Sequence, residues 1–281
     1  MSLFKPSELR AFLDEIGKTA SKRLSQNFLI DGNIIRKILA AAEVKPNDLI
    51  LEIGSGPGAL TQALLDAGAR VIAIEKDRVF AEALHRLQTS DKRLTVYAED
   101  FLECALEKII PSKAKVVANL PYQITTPILS RLVPLHTLFS TLTVMVQKEV
   151  AERYVAKKET PNYSSMTLFL EFYSKPKLCF TVEPTCFYPQ PKIQSAVVHL
   201  TLKAPPAVSS EEKFFRMTRT AFQHRRKMLR ASLKELYTTE KILEALHHMG
   251  LKPETRPEQL NLQDFLQLFH ELENATFDLP L

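Results

Sequence analysis

Short apolar runs alternate along this chain with stretches whose apolar residues recur at helical spacing, and several of the runs end in a residue capable of chemistry. Leu49-Ile50-Leu51-Glu52-Ile53 leads into Gly54-Ser55-Gly56-Pro57-Gly58, and Leu60, Ala63 and Leu64 then share one helical face. Arg70-Val71-Ile72-Ala73-Ile74 ends in Glu75, and Leu94-Thr95-Val96-Tyr97-Ala98 ends in Glu99-Asp100-Phe101. Lys115-Val116-Val117-Ala118 ends in Asn119. These runs predict strands of an α/β sheet. Open parallel sheets bind ligands at the carboxyl ends of their strands, so Glu52, Glu75, Asp100 and Asn119 are expected to line one crevice.

Two more runs, around Leu138 to Val146 and at Val197 to Leu200, read as further strands. The Pro/Ser-rich stretch Lys203-Ala204-Pro205-Pro206-Ala207-Val208-Ser209-Ser210 reads as a linker. Beyond it Phe214, Phe215, Met217, Ala221 and Phe222 recur at helical spacing, and Ser209 or Ser210 before Glu211-Glu212 marks a helix start. Residues 1–202 are therefore expected to form an α/β domain and residues 203–281 a smaller all-helical one.

Three of the seven glycines fall within Gly54 to Gly58. Glycine lets backbone approach a ligand without interference from Cβ. The dinucleotide fingerprint is G-x-G-x-x-G with a pyrophosphate on the helix N-terminus. Here the pattern is E-x-G-x-G-x-G, and Pro57 removes one N–H that a pyrophosphate would use. Glu52 adds a negative charge, which suits a cationic methyl donor better than an anionic ligand. Glu75, about twenty residues on, fits a ribose diol in either case.

Asn119-Leu120-Pro121-Tyr122 carries the second half of the chemistry. The exocyclic amine of adenine is a poor nucleophile because its lone pair is delocalised into the ring. The Asn119 oxygen and a main-chain carbonyl beside Pro121 would accept its N–H bonds. Tyr122 would offer a flat face to an unstacked base. A proline turn with an aromatic dipping into the core is the plainer alternative for these four residues.

Taken in order, Gln26-Asn27-Phe28-Leu29, Glu52 to Gly58, Glu75-Lys76-Asp77, Glu99-Asp100-Phe101 and Asn119 to Tyr122 resemble the motifs of the rRNA adenine N6-dimethyltransferases. Phe187-Tyr188-Pro189-Gln190-Pro191-Lys192 followed by Ser195 is similar to that family's later aromatic motif. Ala221 to Arg230, with Arg225-Arg226-Lys227, is similar to the signature of its small-subunit (KsgA-like) branch. Ser25 departs from the family pattern, where many relatives have glycine.

The resemblance implies a Rossmann-like S-adenosylmethionine-dependent sheet, with residues 1–45 covering the donor site. Gln26, Asn27 and Leu29 would cover the donor, Glu52, Gly54 and Gly56 would meet its methionine portion, and Glu75 with Lys76 its ribose. Asp100 and Phe101 would hold its adenine, and Asn119 would also contact the donor. Asn119, Leu120, Pro121 and Tyr122 would hold the target adenine, with Phe187 on its other face. Lys22, Arg23, Arg216, Arg219, Arg225, Arg226, Lys227 and Arg230 would meet RNA. The implied substrate is small-subunit rRNA or its precursor particle, and the product N6,N6-dimethyladenosine at two adjacent sites.

Bulk properties change this picture little. Across 281 residues, apolar types make up 45% and the formal net charge is +5, which permits a polyanionic partner. A run of basic residues is also an ordinary solvated face; because Arg225 would fall near the apolar side of a continuous helix, either the helix breaks near Gln223-His224, the preferred reading, or Arg225 is paired in the interface. Cys104, Cys179 and Cys186 form neither a metal set nor a disulfide framework, which suits a reducing compartment, and the histidines form no ligand set. The expected protein is cytoplasmic, monomeric, not membrane-bound and metal-free. The rival readings are a methyltransferase of large-subunit rRNA, a ribosome-assembly or transcription factor that keeps the fold for binding, and a small-molecule methyltransferase.

Overall fold

A computed structural model describes residues 3–19, 26–88, 90–224 and 227–274. In chain order the first elements are α1 (Pro6–Glu15), β1 (Phe28–Leu29), α2 (Gly32–Ala41), β2 (Leu49–Ile53), α3 (Ala59–Asp66), β3 (Arg70–Ile74), α4 (Arg78–Leu84) and β4 (Leu94–Tyr97). Next come α5 (Leu106–Ile109), β5 (Ala114–Asn119), α6 (Thr125–Leu132), β6 (Phe139–Gln147), α7 (Lys148–Tyr154) and α8 (Ser165–Tyr173). The last are β7 (Ser174–Val182), β8 (Phe187–Tyr188), β9 (Ser195–Leu202), α9 (Glu211–Gln223), α10 (Leu229–Ser232), α11 (Thr239–His248) and α12 (Leu262–Asn274).

Among the described residues, seven strands form one sheet in the order β4-β3-β2-β5-β6-β9-β7. β4, β3, β2, β5 and β6 run parallel, while β9 lies antiparallel to both β6 and β7. Continuous burial of Ile50 to Ile53 and of Val71 to Ile74 explains why these strands read as unbroken apolar runs: helices cover both faces. The strand order reverses between β2 and β5, where Ile50 lies opposite Lys115 and Leu51 opposite Val116. Ligands of open α/β sheets bind at such a reversal.

Local signals set the helices. Asp31 accepts from the Asn33 and Ile34 N–H groups and so starts α2, whose Ile34, Ile35 and Ile38 turn inward. Asp77 starts α4 in the same way through Val79. Helix α1 is fastened by Leu9, Phe12 and Leu13, which pack with Leu3, Phe28 and Phe80. The Arg86 guanidinium lies 3.7 Å from the Phe12 ring centroid, and its Nη2 donates to the Pro57 carbonyl.

The chain divides into two compact units, residues 1–151 with 174–204 and residues 152–173 with 205–281. The division differs from a single cut at 203, because α8 is sequestered with the C-terminal helices. Phe172 stacks on Phe214, and Phe214 meets Phe269 edge-on. Tyr163, in the loop before α8, donates its hydroxyl to the Leu260 carbonyl at 2.9 Å. Ser210 caps α9 by accepting from Lys213, and α9 stops at Gln223 as expected, with His224 leaving helical geometry at φ −128°. Among the described residues no helix is long and apolar enough to cross a membrane.

Candidate active site

A cavity of about 260 Å³ opens where β2, β3, β4 and β5 end. Glu52, Glu75, Asp100 and Asn119 all line it, as the strand-end pattern predicts. Gln26, Asn27 and Leu29 line it from the segment before α2, with Leu3 beside them.

The glycine loop is held from both sides. At Gly56 the backbone sits at φ +52°, and a Cβ there would come within 3.2 Å of the Phe28 ring. Its N–H donates to Glu75 Oε2 at 2.8 Å. Gly54, at φ +71°, faces the Pro121 ring of the second loop, so the two loops meet at the strand reversal.

Glu75 is a buried acceptor with two tasks. Its Oε1 accepts from the Asp77 N–H at 2.8 Å, while Oε2 holds Gly56. Burial pushes its carboxyl up, against the pull of these backbone hydrogen bonds. A carboxylate has roughly four lone-pair sites, so acceptor capacity is left for a ligand hydroxyl.

Glu52 is 1% exposed, and Thr61 of α3 donates to its Oε2 at 2.6 Å. Burial raises its pKa from 4.5 to about 7, with the charge of Glu75 adding to the rise and the Thr61 bond opposing it. The carboxyl that sequence reasoning treats as a fixed charge is therefore held neutral below about pH 7 in the ligand-free protein. Burial supplies this correction, which the order of residues alone cannot show. Ser55 Oγ, also lining the cavity, is buried without a hydrogen-bond partner, although it lies close enough to steady the Glu52 carboxylate.

Asp100 is engaged on both oxygens. Oδ2 accepts from Lys76 Nζ at 2.6 Å, and Oδ1 from the Leu102 N–H at 3.0 Å. The Lys76 hydrogen bond holds its carboxyl below the usual range. Phe101 lines the cavity and is otherwise buried.

At the end of β5 the Asn119 amide nitrogen donates to the Asn27 carbonyl at 3.2 Å. That bond uses one of the two amide N–H donors and fixes the side chain's orientation, with Oδ1 as its acceptor. The Pro121 carbonyl accepts from the Ile124 N–H and the Thr125 hydroxyl, and Leu120 lines the cavity beside it. Tyr122 shares a 2.5 Å hydrogen bond with Ser195 Oγ, and burial raises its pKa, which keeps the phenol neutral.

The structure does not bring Phe187 to the cavity. It is 3% exposed, lies opposite Leu29 in the β1–β8 ribbon and packs with Leu29 in the main core. Tyr122 is the aromatic of the Asn119–Tyr122 loop that lines the cavity. Thr61, Ser55 and Ser195 have site contacts that sequence reasoning assigned no role. Ser55 carried a signal in its place within the glycine loop and Ser195 in its place after the aromatic motif, whereas Thr61 carried none.

Of the basic set, Arg216 and Arg219 are exposed on α9, Lys227 is exposed beyond it, and Arg230 is half-buried on α10. Lys22, Arg23, Ser25, Arg225 and Arg226 lie outside the described residues. Lys213, on the same helix, is paired with Glu273 at 2.8 Å.

Residues 17–274 match the family described as ribosomal RNA adenine dimethylase. A protein of Protochlamydia amoebophila named ribosomal RNA small subunit methyltransferase A is 55% identical over 98% of this chain and 99% of its own length. The protein of the same name in Chlamydia caviae is 46% identical, with 98% and 99% covered. Among solved structures, a dimethyladenosine transferase from Plasmodium falciparum superposes with a TM-score of 0.76 at 29% identity, covering 88% of this chain and 97% of that one. The 23S rRNA methyltransferase ErmE superposes with a TM-score of 0.68 at 28% identity, covering 88% of this chain and 100% of the other.

Proposed function

The chain belongs to the ribosomal RNA adenine dimethylase family, and on that premise we propose that it transfers methyl groups from S-adenosylmethionine to the N6 amine of small-subunit rRNA adenosines. The carrying observation is the meeting, at the strand reversal, of a glycine loop backed by two buried carboxyls with an Asn whose amide nitrogen is already anchored. The high identity to proteins named for the small subunit favours that particle over large-subunit rRNA.

The site residues fit the donor. Two buried carboxyls, with the Ser55 hydroxyl beside Glu52, suit a ligand that carries a positive charge and hydroxyl groups. Glu75 would hold the ribose, Glu52, Ser55 and the Gly54–Gly56 backbone the methionine portion, and Asp100 with Phe101 the adenine. Gln26, Asn27 and Leu29 would close over it. When bound, S-adenosylmethionine supplies a methyl group activated on a sulfonium.

The chain's own work is on the target amine. Asn119 Oδ1 and the Leu120 carbonyl accept its two N–H bonds, which localises the nitrogen lone pair. Tyr122, pinned by Ser195, offers the stacking face. Catalysis then consists of positioning and of stabilising positive charge that develops on the amine. Acting as a monomer in the cytoplasm on a precursor particle, the enzyme would take part in small-subunit maturation.

Labelled S-adenosylmethionine incubated with unmodified small ribosomal subunits should yield label in N6,N6-dimethyladenosine after digestion. Label only on large-subunit RNA would overturn the choice of particle, and donor binding without label on either would favour a binding factor. The basic residues of α9 and α10 would meet phosphates. Replacing Arg216 and Arg219 by Ala should reduce the salt slope of RNA binding by about 0.7–0.9 for each phosphate no longer neutralised, and an unchanged slope would remove α9 from the RNA face.

A further inference from the structure

Arg131, near the end of α6, reaches back to the turn that carries Asp100 and Phe101. Its Nη1 donates to the Phe101 carbonyl and its Nη2 to the Cys104 carbonyl. The guanidinium also lies 5.3 Å from the Phe101 ring centroid. Within the turn, the Asp100 carbonyl accepts from Glu103 N–H and Cys104 Sγ, and Asp100 Oδ1 accepts from Leu102 N–H. Within the turn the Phe101 carbonyl receives only a long 3.4 Å bond from the Cys104 N–H, and a planar guanidinium can serve two carbonyls at once. The other end of α6 touches the target motif: Thr125 donates to the Pro121 carbonyl. One short helix thus spans from the loop that would grip the target base to the turn that would grip the donor base.

We infer that Arg131 is a positioning residue that sets the Asp100–Phe101 turn for recognition of the donor's adenine. The inference rests on the donor reading given above. Arg131 does not line the cavity, whereas Asp100 and Phe101 do. Removing it frees the turn at Phe101 and Cys104, on either side of the segment that packs the Phe101 ring and fixes the backbone carrying Asp100, so the cover of an adenine ring and the aim of its acceptor both loosen. Discrimination of the donor base suffers first, and the methyl-transfer geometry around Asn119 stays as it is.

The test compares binding of S-adenosylhomocysteine and S-inosylhomocysteine, which differ in the 6-amino group, to wild type, Arg131→Met and Arg131→Lys by calorimetry. Wild type should prefer the adenosyl ligand. Arg131→Met should weaken S-adenosylhomocysteine about tenfold, the size of effect expected when one hydrogen bond to the ligand is removed. The inosyl ligand should change less than about threefold on the same scale, and kcat at saturating donor should stay near wild type. Arg131→Lys, which restores one charged donor, should fall between the two and carries the test if the Met variant does not fold. Equal losses for both ligands would show general damage to the fold and overturn the inference, as would unchanged preference. If wild type binds neither ligand, the donor reading itself fails.

Discussion

Asn119→Ala should lower kcat for methyl transfer by about 10²–10³-fold while RNA and donor affinities stay within a few-fold, as expected when an acceptor acts mainly in the transition state. The size follows from the loss of one preorganised acceptor in a dry site, about 3–4 kcal/mol. The side chain is preorganised because its amide nitrogen is anchored on the Asn27 carbonyl. Asn119→Asp tests this further. It keeps an acceptor but replaces the donating amide by an oxygen that faces the Asn27 carbonyl, so it should also be severely slowed. Single-turnover rates with saturating donor and RNA, together with separate binding titrations, decide the matter. Near-normal turnover in Asn119→Ala would remove the residue from the chemistry.

Glu52→Gln should stabilise the donor-free protein at pH 8 and leave it nearly unchanged at pH 4. The folded-state pKa of Glu52 lies near 7, above its usual 4.5, so the folded protein holds the proton more tightly than the unfolded chain. Below pH 4.5 both states are protonated and Glu52 costs nothing. As pH rises from 4.5 to 7 the unfolded chain ionises first, and stability falls. Above 7 the cost is constant, about 3 kcal/mol at 1.36 kcal/mol per unit. Glu75 is shifted in the same direction and adds a slope of the same sign, so the difference between wild type and variant isolates Glu52. Urea unfolding at pH 4, 6 and 8 without donor measures it. A difference that is flat with pH would mean that Glu52 is not held neutral. The same variant should bind a cationic donor more weakly, because the carboxylate that ionises to meet it is gone.

The parts legible in the sequence are those set by local pattern. The apolar runs of β2 to β5 and the polar residues at their ends show directly which side chains share the crevice, because strands buried on both faces tolerate polar groups only at their ends. The break after Gln223 was also readable, since Arg225 would otherwise have met the apolar side. What was not legible depends on partners distant in the chain. The burial of Phe187 depends on Leu29, which lies opposite it across the β1–β8 ribbon. Glu52 reads as a charge until Thr61 and the core close around it. The grouping of α8 with the C-terminal helices has no linker to announce it, because α8 runs straight into β7.

The sheet order also governs when this enzyme becomes complete on the ribosome that makes it. β2, β3, β4 and β5 are parallel neighbours synthesised within the first part of the chain, so the glycine loop and the Asn119 loop can meet early. β6, by contrast, lacks its second neighbour until β9 has been made, and Phe28–Leu29 wait for Phe187–Tyr188. Through that interval a strand of apolar residues has an unpaired edge, the state most exposed to association with other chains. Tyr122 likewise has no Ser195 to hold it. The nascent chain therefore acquires the glycine-loop side of the cavity before the residue that steadies Tyr122, and the cavity is complete only after β9 is released.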